Sequence, residues 1–167
     1  MLIVLSGLPG VGKTAAAREL ARELGAVHLR IDSIEQALRN AGHQVEGEGY
    51  RVAYAIAEDN LRLGRAVVAD CVNPWPLTRT EWRASAERAG VPSLDVEIVC
   101  SDRDEHRRRV ESREPDIAGH RVPNWQEVVD RDYRAWDRER VVIDTARSSV
   151  AESVRAILSV LRGLASR

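Results

Sequence analysis

Two cysteines in 167 residues are too few for a disulfide framework, and neither Cys71 nor Cys100 has a metal-ligand partner at useful spacing. A charge of one sign is also missing. The 25 Lys and Arg face 26 Asp and Glu, for a net charge of −1, which excludes a global basic field that would recruit nucleic acid or a membrane surface. Aromatics make up only 4%, and residues 101–140 show no basic stripe with interleaved aromatics of the kind that tracks a nucleic-acid strand. No apolar run is long enough to cross a bilayer. The first residues have neither a basic n-region nor a small-residue cleavage site, so they read as a core strand, and a cytoplasmic location is expected. Repeats, linkers and low-complexity segments are absent, and 44% hydrophobic content is enough for one core, so residues 1–167 are expected to form one domain.

What is present starts at once. The stretch Met1 to Leu5 is apolar and runs into Gly7-Leu8-Pro9-Gly10-Val11-Gly12-Lys13-Thr14, after which an alanine-rich pattern predicts a helix over 14–24. Ala17, Leu20, Ala21 and Leu24 share one face, and Gly25 is placed to end it. A strand is predicted over 26–32 with Asp32 at its tip, a helix over 33–42, a polar loop over 43–49, and a helix over 50–63 with Ala53, Ile56, Ala57 and Leu61 inward. "RAVVADC" reads as a strand buried on both faces of a parallel sheet. A helix over 77–89, a strand over 94–100 and a helix over 101–113 follow. Pro123 suits the first position of another helix. A strand over 140–144 and a closing helix striped by Val150, Val154, Ile157, Leu158 and Leu161 complete the pattern. Alternating strands and helices imply an α/β fold, three layers around a parallel sheet.

Gly7 to Thr14 match G-x-x-x-x-G-K-[ST] at every fixed position, in the strand-before, helix-after context the motif requires. Such a loop aims successive backbone amides and a helix N-terminus at one oxyanion. Lys13 would reach the β- and γ-phosphates and Thr14 would ligate magnesium, so ATP and Mg2+ are the expected cofactors. Asp70 ends a hydrophobic run, as does the acidic residue that holds magnesium through water in such proteins; binding the acceptor is the competing role. Arg107, Arg108, Arg109, Arg113 and Arg121 crowd one region, where catalytic donors compete with a solvated, salt-bridged helix. Asn73, Trp75, Arg79 and Arg121 are candidate acceptor contacts, although Trp75 also suits packing beneath its loop. Trp125, Tyr133 and Trp136 suit packing, and His28, His43, His106 and His120 show no metal-ligand pattern.

Through "GLPGVGKT", "VHLRIDSI", "VVADCVNPWPLTR" and "RRRVESR", the chain resembles small P-loop kinases of the nucleoside-kinase-like group. These are the zeta-toxin, chloramphenicol phosphotransferase and polynucleotide-kinase relatives, grouped with the AAA-family ATPases. The resemblance implies five strands in the order 2-3-1-4-5, with Cys71 and Cys100 on strands separated by the first and so unsuited to a disulfide. It implies a lid near 107–123 in which Arg109 and Arg113 contact phosphates. It also casts Asp32 as general base for an acceptor hydroxyl. A carboxylate opposite the phosphate cradle is chemically suited to that task, with a helix cap as the alternative. The leading expectation is a kinase acting on a hydroxyl of an antibiotic-, nucleoside- or sugar-like molecule. A polynucleotide 5'-hydroxyl kinase, or a nucleotide-driven switch or toxin-like ATPase acting on a partner, are the alternatives.

Overall fold

The computed structural model describes residues 1–165. Five strands, β1 (Leu2–Ser6), β2 (Val27–Arg30), β3 (Val67–Asp70), β4 (Ser93–Val99) and β5 (Val141–Asp144), form one sheet in the order β2-β3-β1-β4-β5. Every pairing is parallel, and Leu5 lies opposite both Asp70 of β3 and Val96 of β4. Seven helices connect or flank the strands: α1 (Lys13–Leu24), α2 (Ile31–Asn40), α3 (Glu48–Arg62), α4 (Pro76–Arg88), α5 (Arg103–Glu111), α6 (Trp125–Val129) and α7 (Val150–Ala165). The α/β/α layering and the strand order agree with the sequence reading.

Because side chains alternate across a strand, β1 feeds both layers. Ile3 and Leu5 pack with Ala17 and Leu20 of α1 and Val154, Ile157 and Leu161 of α7. Leu2 and Val4 face Ala53, Ala57 and Leu61 of α3 and Trp82 of α4. With both faces covered, β1 is entirely buried, which is why it reads as an unbroken apolar run. All strand C-termini point to one edge of the sheet, where the connecting loops assemble a cleft.

Four local expectations are corrected. β2 stops at Arg30, and Asp32 stands in the first turn of α2, where a carboxylate is favoured by the helix dipole; it is not the cap of a later helix. Pro123 lies outside α6, whose N-cap is Asn124, closed by a capping box with Glu127. Ile56, Leu24 and Val150 are at least partly exposed, because the inward seams follow the four-residue spacing of Ala53, Ala57 and Leu61 or the α1 and α7 equivalents. Residues 131–139 are not helical, yet Tyr133 and Trp136 do pack, around Arg79. Both cysteines are free, as the strand order requires.

Candidate active site

The phosphate loop closes on itself. A Cβ at Gly7 (φ 144°) would sit 2.2 Å from the Ile98 carbonyl oxygen of β4, so no side chain fits there. Gly12, at φ 96°, adopts the left-handed geometry that turns the chain into α1. The Lys13 ammonium folds back to donate to the Leu8 carbonyl at 2.8 Å, the contact a phosphate oxygen would replace. Lys13 is the single lysine of the chain. Burial pulls its amine below the ordinary value, against the opposing pull of the Asp70 and Asp32 carboxylates.

Two residues brace the loop from outside its own sequence. His106 Nε2 on α5 lies 2.8 Å from the Pro9 carbonyl and stacks edge-on against Trp125. Thr145, just past β5, places its hydroxyl 2.8 Å from the Val11 carbonyl. Arg109 then grips Thr145 through both the hydroxyl (2.9 Å) and the carbonyl (3.0 Å) while also bonding Glu105. Helix α5, the β5 exit and the phosphate loop are thus one hydrogen-bonded unit.

Asp70 projects from the end of β3 and is buried. Burial pushes its carboxyl up, but His28, Lys13 and the Thr14 hydroxyl outweigh that and hold it below the ordinary value. Its Oδ2 has no hydrogen-bond partner, and His28 Nε2 (3.6 Å) and Arg30 Nε (4.0 Å) beside it are equally unpartnered. An ionised oxygen with spare acceptor capacity beside a threonine hydroxyl suits a hard cation. Magnesium typically takes one or two protein ligands, the rest being water and phosphate. Among the described residues, no group of three or more His, Cys, Asp or Glu could hold a metal.

Arg30 is a site residue that no local sequence pattern singles out. Its guanidinium, buried, forks onto the Asp116 carboxylate of the lid loop at 2.7 and 2.9 Å, and lies 3.6 Å from Asp32. Arg18 of α1 reaches the same carboxylate at 2.7 Å, and Arg113 approaches at 3.8 Å. His120 of the lid loop lies 4.0 Å from Asp32.

One cleft of about 1210 Å³ is lined by Lys13, Thr14, Asp32, Asp70, Arg109 and Arg113, with Arg18, Asp116 and His120; Arg30 lies behind Asp116. Trp75, half-exposed, forms part of its wall and donates its indole N–H to Asp132 at 3.1 Å, so it is not packed beneath its loop. Arg121 lines the cleft while paired to Glu127. Arg107 and Arg108 are solvated and paired with Glu111 and Glu105.

Asn73 and Arg79 do not reach the cleft. Both are fully buried. Asn73, in left-handed geometry (φ 52°), donates its side-chain amide to Ser6 at 2.9 Å. Arg79 donates to the carbonyls of Asn73, Pro74, Arg134 and Ala135 and stacks on Trp136, 4.1 Å from the ring centroid. Burial keeps both side chains out of the cleft, although Asn73 Oδ1 has no hydrogen-bond partner.

Comparison with known proteins fits this geometry. A family model described as an AAA domain matches residues 2–138. A Pyrococcus furiosus protein named "Putative adenylate kinase" is 38% identical over 73 residues, a match covering 42% of this chain and 39% of that protein, so the alignment spans about two fifths of the relative's length. The structure of the Mycobacterium tuberculosis APS kinase in complex with AMPPNP and APS superposes with a TM-score of 0.75 at 19% identity, covering 96% of each chain. A gluconokinase from Sinorhizobium meliloti 1021 gives a TM-score of 0.65 at 23% identity, covering 98% of this chain and 93% of that one. The chain carries the fold of the small P-loop kinases and belongs to the AAA domain family.

Proposed function

We propose that this protein transfers the γ-phosphoryl group of ATP to a hydroxyl of a small-molecule acceptor, antibiotic-, nucleoside- or sugar-like. The observation that carries this reading is the convergence of Lys13, Thr14, Asp32, Asp70 and the lid arginines on one cleft. A hydrolase has no need of a cleft that extends past the phosphate loop to Trp75, Leu77, Tyr50 and Tyr54. The kinase names of the similar proteins, and the AMPPNP held by one of them, support phosphotransfer from ATP.

In this reading the acceptor hydroxyl lies between Asp32 and the γ-phosphorus. As its oxygen attacks, its proton passes to the Asp32 carboxylate, and the bond from the γ-phosphorus to the β–γ bridging oxygen breaks, releasing ADP. Arg30, 3.6 Å away, keeps the carboxylate in an electropositive setting. Lys13 leaves the Leu8 carbonyl for the β- and γ-phosphate oxygens, and Arg109 and Arg113 bring guanidinium donors from the lid side. Thr14 and Asp70 would hold magnesium, which supplies further neutralisation of phosphate charge.

The test is ADP release with Mg-ATP against antibiotics, nucleosides, sugars and a 5'-hydroxyl oligonucleotide. Release stimulated by one acceptor and abolished by Lys13→Ala is the expected result. Turnover indifferent to every hydroxyl compound but raised by a protein partner would replace the kinase with a switch.

A further inference from the structure

Three arginines from three separate elements meet on one lid carboxylate. Arg30 at the end of β2 engages both oxygens of Asp116, at 2.7 and 2.9 Å. Arg18 from the second turn of α1 reaches Oδ2 at 2.7 Å, and Arg113 beyond α5 stands 3.8 Å from Oδ1. The fork of Arg30 is the arrangement in which guanidinium recognises carboxylates and phosphates.

The partners differ in their freedom to move. The Arg30 side chain is 4% exposed, so its charge cannot be handed to water and requires an anion wherever the lid stands. The Asp116 side chain is 37% exposed and sits in the loop between α5 and α6, so it can withdraw into solvent. Asp116, Arg18 and Arg113 line the cleft and Arg30 lies behind Asp116, so the departure of Asp116 would open Arg30 to the cleft beside the other two arginines, 3.6 Å from Asp32.

We infer that Arg18, Arg30 and Arg113 form an anion subsite beside Asp32, masked by Asp116, and that the acceptor is a compact hydroxyl compound bearing a phosphate, sulfate or carboxylate. The inference rests on the phosphotransfer reading and specifies its acceptor. Its anion displaces Asp116, and the adjacent hydroxyl is thereby delivered to Asp32. Glu35, Glu46 and Glu81 line the outer cleft, which suits a small anion and opposes an extended polyanion. The nucleotide's own terminal phosphate is the other possible source of an anion at this place, and the experiment separates the two.

With the phosphate loop saturated by Mg-AMPPNP, inorganic phosphate is titrated calorimetrically into the wild type, Asp116→Ala, Arg18→Ala and the Arg18→Ala/Asp116→Ala double variant. Arg18 is half-exposed, so its removal leaves the core intact. The expected result is phosphate binding at least about tenfold tighter in Asp116→Ala than in the wild type, a change lost in the double variant. Paired acceptors, glycerol against glycerol 3-phosphate and glucose against gluconate, are then compared by ADP release. The anionic member of a productive pair should have the higher kcat/KM by roughly a hundredfold, and Arg18→Ala should remove most of that advantage through KM. Phosphate that binds only without AMPPNP, or with an affinity indifferent to Asp116 and Arg18, overturns the subsite. A neutral acceptor phosphorylated in a Lys13-dependent way, with kcat/KM unchanged in Arg18→Ala, overturns the inference and leaves the kinase standing. Arg18-dependent phosphate binding with no acceptor turned over supports the subsite and counts against phosphotransfer.

Discussion

Arg79 and Arg30 are both buried arginines at loop junctions on the C-terminal edge of the sheet, and their surroundings give them opposite meanings. Four backbone carbonyls and the faces of Trp136 and Tyr133 enclose Arg79. Those partners belong to the β3–α4 loop and the 131–139 segment, and none of them can leave without unfolding that corner. Arg30 instead faces carboxylates, of which one, Asp116, lies partly exposed in the loop between α5 and α6. A buried cation held by the backbone is a staple. One held by a mobile anion is a socket.

If the contrast is sound, effects at the two corners separate into chemistry and stability. The largest is expected at Asp32, the Arg30 neighbour that lines the cleft. Asp32→Asn should lower phosphoryl transfer by about 10²–10⁴-fold while leaving nucleotide affinity and the denaturation midpoint nearly unchanged. Steady-state ADP release together with nucleotide titration checks this, and near-normal transfer would remove Asp32 as the base.

Arg79→Ala should do the reverse. It strands four carbonyls and opens a void against Trp136, at a cost of roughly 3–5 kcal/mol of folding free energy. Urea denaturation measures it, and nucleotide affinity in the still-folded fraction should change little. Arg30→Met comes next, at about 1–2 kcal/mol, because the exposed Asp116 it releases can rehydrate and Asp70 keeps His28 and Lys13 as partners. A stability loss for Arg30→Met equal to that of Arg79→Ala would make both arginines staples.

The same contrast explains how much was legible in the sequence. Gly7 to Thr14 are contiguous, and their spacing alone states their chemistry, so the phosphate loop was readable at once. The layering followed from periodicity, because β1 and β3 are apolar up to their last residues, Ser6 and Asp70, and the helices carry one inward seam. Arg30 was hidden because its partner Asp116 lies 86 positions away, and His106 because it meets Pro9 across 97. No local pattern encodes such pairs. Asn73 and Arg79 misled for the related reason that a loop after a strand suggests a ligand site. Here the 131–139 segment folds over that loop and takes up its polar groups.

The smallest expected effect tests the socket most directly. Hydrogen bonds from Arg30, and then from Arg18, hold the Asp116 carboxyl far below its ordinary value, with burial opposing them only in part. The folded state therefore binds this proton less readily than the unfolded chain. Its contribution to stability is present above the unfolded carboxylate value of about 3.9 and is lost as pH falls through the depressed folded value. Exposure of Asp116 screens the interaction, so the contribution is modest. Asp116→Asn should flatten the acid limb of stability below about pH 4 and leave the limb above it parallel to wild type. Proteolysis within 112–124 should also quicken in this variant, because the lid has lost its tie to β2. Superposable acid limbs, with unchanged proteolysis, would mean that Asp116 does not engage Arg30 in solution. Arg30 would then be neutralised by Asp70 and Asp32 alone, and its difference from Arg79 would lie in the kind of partner and no longer in the freedom of that partner to leave.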